Sequence, residues 1–334
     1  MTELTNRHWV LSRTPDGPLS PDVFAWGEAP VAPPGPGQVL VRNRMLSIDP
    51  AQRAWMKGRT YREQVMPGDV MHAFGLGEVV ASQSPGFVAG DLVEGMLGWQ
   101  DYAVAPAGEL TKRDSSQSLD HLIGVLSITG LTAYHGLFDV AQVRAGDTVL
   151  VSAAAGAVGT VAGQIAKIAG CRVVGVAGGE EKCRWLVEAL GYDAAVDYKA
   201  GDLRRQIRAA CPDGVDVYFD NVGGEVLDAA LLSMNQRGRI ACCGAVSGYD
   251  DAAPPKGSPM IPGLLISKRI SMSGFIVLDY LAGREIAERR LAGWIAEGRL
   301  KPVVDVDDGL ESAPNALIKL LAGRNRGKAA VRIG

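Results

Sequence analysis

The stretch that most constrains this chain lies in mid-sequence, at Val149-Leu150-Val151-Ser152-Ala153-Ala154-Ala155-Gly156-Ala157-Val158-Gly159. A short apolar run gives way to small residues, and a helical pattern opens at Thr160-Val161-Ala162-Gly163-Gln164-Ile165-Ala166. The spacing predicts a strand, a tight turn and a helix N-terminus, where backbone N–H groups and the helix dipole favour an anion such as a pyrophosphate. Ala154-x-Gly156-x-x-Gly159 is the dinucleotide fingerprint with its first glycine replaced by alanine. In that reading Gly156 lets the backbone approach the phosphates, and Gly159 lets the helix pack closely on its strand.

A small-residue turn in some other α/β protein would look the same, so the surroundings decide. A second strand-like run, Arg172-Val173-Val174-Gly175-Val176-Ala177, follows at the distance a βαβ unit needs. An amphipathic helix carrying Trp185, Leu186, Ala189 and Leu190 comes next and ends at Gly191. Val215-Asp216-Val217-Tyr218-Phe219-Asp220 runs into Asn221-Val222-Gly223-Gly224, and Gly238-Arg239-Ile240-Ala241-Cys242-Cys243 runs into Gly244. Strands that alternate with helices and end in Gly or Asn predict an α/β fold of the Rossmann type, a doubly wound parallel sheet with ligand loops at its carboxyl edge.

Residues 1–127 read differently. Runs such as Gln38-Val39-Leu40-Val41-Arg42-Asn43 and Gly77-Glu78-Val79-Val80-Ala81-Ser82 are punctuated by Pro and Gly, notably Ala32-Pro33-Pro34-Gly35-Pro36-Gly37. That pattern predicts a small β-rich domain. The nucleotide domain then spans 128–300, and 301–334 returns to strand, helix, strand and is expected to pack back onto the first domain. Short-chain dehydrogenases place the glycine turn near the N-terminus and use Tyr-x-x-x-Lys. No tyrosine of this chain is followed four positions later by lysine, which disfavours that group.

The 334 residues carry a formal net charge of −3, so no global basic field invites nucleic acid or an anionic membrane. No apolar stretch is long enough to span a bilayer, the polar start Met1–Arg7 lacks a signal-peptide core, and a cytoplasmic protein is expected. Five cysteines (171, 183, 211, 242 and 243) argue against a disulfide framework. Histidines 8, 72, 121 and 135 stand in no Cys/His cluster, and no Cys-x2-Cys pair occurs, so no metal site is expected.

Cofactor preference follows from the end of the second strand. Val176-Ala177-Gly178-Gly179 has no carboxylate to accept from a ribose 2′-OH, whereas Lys182 follows closely and suits a 2′-phosphate. Glu180 and Glu181 stand beside it, and Lys182 also reads as an ordinary solvated helix-start residue. The balance favours NADP(H).

With these motifs in place, the chain resembles the zinc-independent medium-chain dehydrogenase/reductases. The closer likeness is to the leukotriene B4 12-hydroxydehydrogenase/prostaglandin reductase branch with its curcumin-reductase-like members. Besides the glycine turn, the resemblance rests on Gln38–Asn43, Ser47-Ile48-Asp49-Pro50, Tyr218–Gly224, Cys243-Gly244-Ala245-Val246-Ser247 and Gly327-Lys328-Ala329. It implies a GroES-like catalytic domain beside the Rossmann domain, an active site in the cleft between them, and a homodimer joined through the Rossmann sheet. It further implies that Gly156, Ala157, Val158 and Gly159 cover the pyrophosphate while Lys182 and Tyr198 hold the adenosine phosphate end. Asn221 would reach the cofactor, and Cys243, Gly244, Ala245, Val246, Ser247, Gly248 and Tyr249 would flank the nicotinamide ribose. Phe275, Ile276 and Val277 would pass the nicotinamide, and Asn325 would close from the other domain. Tyr198 also reads as a half-buried aromatic, Asn221 as a turn former and 275–277 as an edge strand.

One departure stands out. Where the branch often has Asp-Pro-Tyr-Met-Arg at the first domain's active-site edge, this chain has Asp49-Pro50-Ala51-Gln52-Arg53, which implies a roomier pocket.

The implied chemistry is NADPH-dependent reduction of a C=C bond conjugated to a carbonyl, without zinc. Hydride reaches the β-carbon and leaves an enolate, so a preorganised hydrogen-bond donor is needed. Tyr249 matches a family tyrosine in that place and is the candidate proton donor, or else a loop residue whose OH orders the ribose. The alternatives are a zinc-independent NADPH quinone oxidoreductase and an NADPH-binding protein without turnover. Ala252–Met260, rich in Pro and Gly, reads as a substrate lid or a plain surface loop.

Overall fold

Half-buried residues along both strands fold Thr5 to Pro30 into an antiparallel hairpin in the computed structural model of the chain, which describes residues 4–249 and 260–334. Its strands β1 (Thr5–Leu11) and β2 (Phe24–Pro30) set Trp9 opposite Trp26, with the rings edge to face at 5.2 Å. After the Pro/Gly-rich turn come β3 (Gln38–Ser47), α1 (Ala51–Lys57), β4 (Phe74–Ser82), β5 (Leu92–Met96), β6 (Tyr102–Pro106), β7 (Thr111–Lys112) and α2 (Leu119–Gly124). β3 is the hub of an antiparallel sheet and pairs with both β4 and β6. Gly77 is required there, because a Cβ would lie 2.4 Å from the Val41 side chain and 2.7 Å from the Arg42 carbonyl.

A second compact unit spans 124–303. It opens with α3 (Ile128–His135), whose last turn widens into a π-helical turn at Gly136–Val140. Then β8 (Thr148–Val151), α4 (Ala157–Ile168), β9 (Arg172–Ala177), α5 (Glu180–Leu190), β10 (Ala194–Asp197), α6 (Leu203–Ala210), β11 (Val215–Asp220), α7 (Gly224–Ser233) and β12 (Met234–Cys242) alternate strictly. α8 (Ile261–Lys268), β13 (Ser271–Gly274) and α9 (Arg284–Ala296) complete the unit. Helices cover a sheet of order β10-β9-β8-β11-β12-β13, parallel throughout. Val149, Leu150 and Val151 are wholly buried, as parallel strands packed on both faces must be. The chain runs outward from β8 through β9 to β10 and then crosses to β11. The β8/β11 boundary is therefore the topological switch point, where ligands of such sheets lie.

Residues 304–334 belong with 1–123 in the other unit. There β14 (Val304–Asp308), α10 (Ala313–Leu321) and β15 (Lys328–Arg332) follow in order, and β15 pairs antiparallel with β3. One core of this unit gathers Leu11, Phe24, Leu46, Trp55, Trp99, Leu317 and Val331. Among the described residues no helix is long and apolar enough to cross a membrane.

Candidate cofactor and active site

The turn after β8 is built by backbone shape. Ala153 takes a left-handed conformation (φ 46°), and its carbonyl accepts from Gly156 N at 2.8 Å. At Gly159 a Cβ would lie 2.3 Å from that carbonyl oxygen and 2.7 Å from Ala154 Cα, so any side chain would push α4 off the turn. Gly156 is the N-cap, and among the described residues no side-chain cap bond is made there, so the first-turn N–H groups suit an anion. Ala157 and Val158 are half-buried beside it.

At the neighbouring carboxyl end, β11 closes in a polar knot. Asp220 is buried, and its Oδ1 accepts from Ser152 Oγ (3.2 Å), Tyr218 OH (2.8 Å), Val222 N (3.0 Å) and Gly223 N (2.9 Å). Ser152 Oγ in turn accepts from Asn221 N at 2.8 Å, and Asn221 Nδ2 donates to Ser152 O at 2.7 Å. Asn221 is thus buried and fixed to the turn after β8, with one amide N–H committed to the protein. The backbone N–H groups of Cys243 and Gly244 donate to Asp220 O, and Ser247 Oγ donates to Val222 O at 2.7 Å. These bonds hold the 243–249 loop, with a 3-10 turn at Val246–Gly248, against the end of β11.

Within that loop Ala245 and Ser247 are exposed, while Cys243, Gly244, Val246, Gly248 and Tyr249 are half-buried. Burial, with Asp220 and Cys242 adding to it, pushes the Cys243 thiol up to about 12, so it stays a neutral thiol. Burial likewise raises the Tyr249 phenol above its ordinary value of 10.0, against a backbone hydrogen bond at Ala245 that lowers it. Phe275 N donates to Cys242 O at 3.3 Å, just past β13; Ile276 is extended, and Val277 begins a 3-10 helix rather than lying in a strand. The Phe275 ring meets Phe219 edge on at 6.3 Å, over Gly136, where a Cβ would collide with both rings.

The tip of β9 shows what sequence reading missed. Gly178 makes room for the exposed Tyr198, whose ring atoms would lie 2.8 Å from a Cβ there. A carboxylate does reach this turn, but from the end of β10: Asp197 Oδ1 accepts from Gly179 N (2.8 Å) and Lys199 N (2.9 Å). Lys182 is half-buried in the first turn of α5, while Glu180 pairs with Arg184 at 2.7 Å.

Asn325 belongs to the other unit, where it is buried and donates through Nδ2 to Gly327 O at 2.9 Å. Next to it the buried Lys328 donates to Ile48 O and Asp49 Oδ1, both at 2.8 Å, and the other Asp49 oxygen accepts from Ser47 Oγ. Gln52 is buried and braces the same segment through Asp49 N and His72 O. Sequence reading missed Ser152, Asp220, Asp197 and Lys328 as fixing residues. The available signal was a polar residue at the end of an apolar strand, or next to a glycine. Residues 252–259 of the candidate lid lie outside the described residues.

Two family profiles match the chain: "N-terminal domain of oxidoreductase" over residues 7–112 and "Zinc-binding dehydrogenase" over 157–293. The NADPH-dependent curcumin reductase of Escherichia coli K12 is 44% identical across 98% of this chain and 97% of its own length. The chain belongs to the zinc-independent medium-chain dehydrogenase/reductases, in the leukotriene B4 12-hydroxydehydrogenase/prostaglandin reductase branch. Another relative in this branch, the NADP(+)-dependent 2-alkenal reductase of Nicotiana tabacum, is 42% identical over 90% of this chain and 89% of its own. CurA from Vibrio vulnificus, solved in complex with NADPH, superposes with a TM-score of 0.94 at 39% identity, covering 98% of this chain and 99% of that one.

As a medium-chain reductase of this branch, the protein uses NADP(H). The start of α4 at the glycine N-cap Gly156, held close to the turn by Gly159, fits a dinucleotide. Despite the second profile's description, no group of three His, Cys, Asp or Glu among the described residues is arranged to hold a metal ion.

Proposed function

We propose that the protein reduces the C=C bond of α,β-unsaturated aldehydes and ketones. The carrying observation is the glycine-built, uncapped start of α4 at the sheet's switch point, in a chain similar to an NADPH-dependent curcumin reductase and a 2-alkenal reductase. NADPH, when bound, supplies the hydride. Gly156, Ala157, Val158 and Gly159 hold its diphosphate, Lys182 and Tyr198 take the 2′-phosphate end, and Asn221, Cys243–Tyr249 and Phe275–Val277 complete the contacts within this unit.

Hydride arriving at the β-carbon drives negative charge onto the carbonyl oxygen. A donor aimed at that oxygen lowers the barrier. Tyr249 is that donor: its phenol is held protonated by burial, and its loop is tied to the end of β11. Neutral Cys243 offers no competing thiolate nucleophile to the enal.

Two copies pair through the open edge of the six-stranded sheet. Among the described residues β13 has a partner on one side only, and Ile276, Leu278, Leu281 and Ile286 are exposed near it in sequence. The dimer works in the cytoplasm on small molecules.

The test is NADPH consumption with a panel of enals, enones and a naphthoquinone, with NADH and a chelator as controls. Turnover of enones by NADPH, unaffected by the chelator, is expected. Activity confined to the quinone, or lost with the chelator, overturns the reading.

A further inference from the structure

The end of α3 shapes an aromatic row that runs through residues 275–280. His135 is buried there, and its Nδ1 lies 2.5 Å from Oδ2 of Asp139, within the π-helical turn. The imidazole stacks on Tyr280, with ring centres 5.1 Å apart and planes at 27°. Tyr280 meets Phe275 edge on at 6.2 Å, and Phe275 meets Phe219 in the same way. The next residue, Gly136, leaves the room in which those two phenylalanine rings meet. Two successive residues of one turn thus shape the same row.

Packing alone does not require a histidine at this place. Tyr134 stands edge on to the imidazole at 5.2 Å, and a Cβ on Gly283 would lie 3.1 Å from Cε1. Among the described residues Nε2 is buried without a hydrogen-bond partner. An apolar ring would fill the space without burying an unpaired nitrogen, which costs stability. What the imidazole adds is a fixed orientation. With the proton on Nδ1 it donates to the carboxylate, and that bond sets which way the ring face turns toward Tyr280. A π-helical turn in an α-helix commonly marks a position kept for function.

Residues 275–277 need such a hold. Among the described residues their backbone is tied to the sheet through Phe275 N alone, which donates to Cys242 O at 3.3 Å. Ile276 and Leu278 are exposed, so the half-buried rings of Phe275 and Tyr280 anchor the segment inward. We propose that His135, clamped by Asp139, is a positioning residue for hydride transfer. Through Tyr280 and Phe275 it sets where Phe275–Val277 stand against the nicotinamide of NADPH. The proposal rests on the cofactor contacts of the preceding section, and its residues all belong to the 124–303 unit.

The test separates the two ends of the cofactor. Adenosine 2′,5′-bisphosphate carries the phosphate end of NADPH and no nicotinamide, so its binding also reports whether a variant is folded. Asp139→Ala removes the clamp at a half-exposed side chain. Calorimetry should show NADPH weakened about fivefold and the bisphosphate changed less than about twofold. With an enone at saturating NADPH, kcat should fall about tenfold while the enone KM moves less than about twofold. His135→Phe keeps a ring on Tyr280, loses the clamp, and should match Asp139→Ala. Asp139→Asn still accepts from Nδ1–H and should restore most of both losses. Equal weakening of NADPH and bisphosphate in Asp139→Ala overturns the proposal, as does an Asp139→Asn variant no better than Asp139→Ala. Phe275→Ala tests the contact itself. An NADPH-specific loss there with a silent Asp139→Ala sinks the clamp alone, and no such loss in either sinks the contact reading with it. Should no enone be reduced, the C=C reading fails instead, and the paired titrations still decide the role of His135. If His135→Phe does not fold, the two Asp139 variants decide it.

Discussion

The Tyr192 hydroxyl donates to the carbonyl oxygen of Gly159 at 2.7 Å, inside the first turn of α4. Tyr192 is buried, and its ring lies on Gly163, where a Cβ would come within 1.9 Å of the hydroxyl. Alanine at a helical glycine ordinarily gains about 1 kcal/mol. Here the collision wins, and Gly163→Ala is expected to cost about 3 kcal/mol in urea unfolding. Tyr192→Phe keeps the ring and loses one buried hydrogen bond, at about 1–2 kcal/mol. A stabilised Gly163→Ala would refute this packing.

The two fingerprint glycines are not equivalent. At Gly159 a Cβ meets backbone atoms at 2.3 and 2.7 Å, which cannot swing aside, whereas at Gly156 the nearest atom is 3.1 Å away. Gly159→Ala should therefore displace the first turn of α4 and weaken NADPH binding about 100-fold, as a small misplacement of a preorganised site does. Gly156→Ala should weaken it less than about tenfold, since a shift of a few tenths of an ångström suffices. Fluorescence titration of NADPH with both variants checks the order, and equal losses would contradict it.

This asymmetry shows what a sequence can and cannot disclose. β8, β9, β11 and β12 were legible because strands of a parallel sheet buried on both faces are written as apolar runs ending in small residues. β13, Ser271-Met272-Ser273-Gly274, carries no such signal and is a strand only because β12 offers it a ladder from Arg239 to Cys242. The π-helical turn at Gly136–Val140 was hidden because its residues read as ordinary helix. Sequence reading correctly found no acid at the tip of β9, yet Asp197 reaches Gly179 from the next strand, and Phe74 reaches Arg62 from the far side of a loop. Contacts of that kind depend on how distant segments are brought together, which local pattern does not encode.

Asp197 bears on cofactor choice, because its Oδ1 accepts from two backbone N–H groups of this turn, Gly179 and Lys199. Lys182→Ala is expected to raise the Kd for NADPH about tenfold while leaving that for NADH within about twofold. Calorimetric titration with both cofactors separates the outcomes. A parallel loss for both would make Lys182 a structural residue of α5.

Asp193 supplies a pH-dependent stitch between strands. Burial alone would raise its carboxyl, but Lys167, 2.8 Å from both oxygens, and Val173 N at 2.7 Å outweigh that and hold it below its ordinary value of 3.8. A lowered folded value means the stabilisation is complete above the unfolded value and is lost as pH falls through the folded one. Asp193→Asn should lower stability at neutral pH by no more than about 1 kcal/mol, since the pair is partly exposed. In urea titrations the gap from wild type should close below about pH 3.8. A gap that persists at lower pH would assign the effect to packing.

Tyr249 offers the sharpest test of the chemistry. A proton donor must carry its proton, and burial raises this phenol above 10.0, so the active form persists through neutral and mildly alkaline pH. With an enone, kcat should stay level up to about pH 10 and decline only above it. Tyr249→Phe should lower kcat at least about tenfold, remove that alkaline limb, and change NADPH affinity little. Loss of NADPH affinity with kcat preserved would mean that the hydroxyl orders the cofactor instead of protonating the product. An unchanged kcat and an unchanged alkaline limb would pass the donor role to another group.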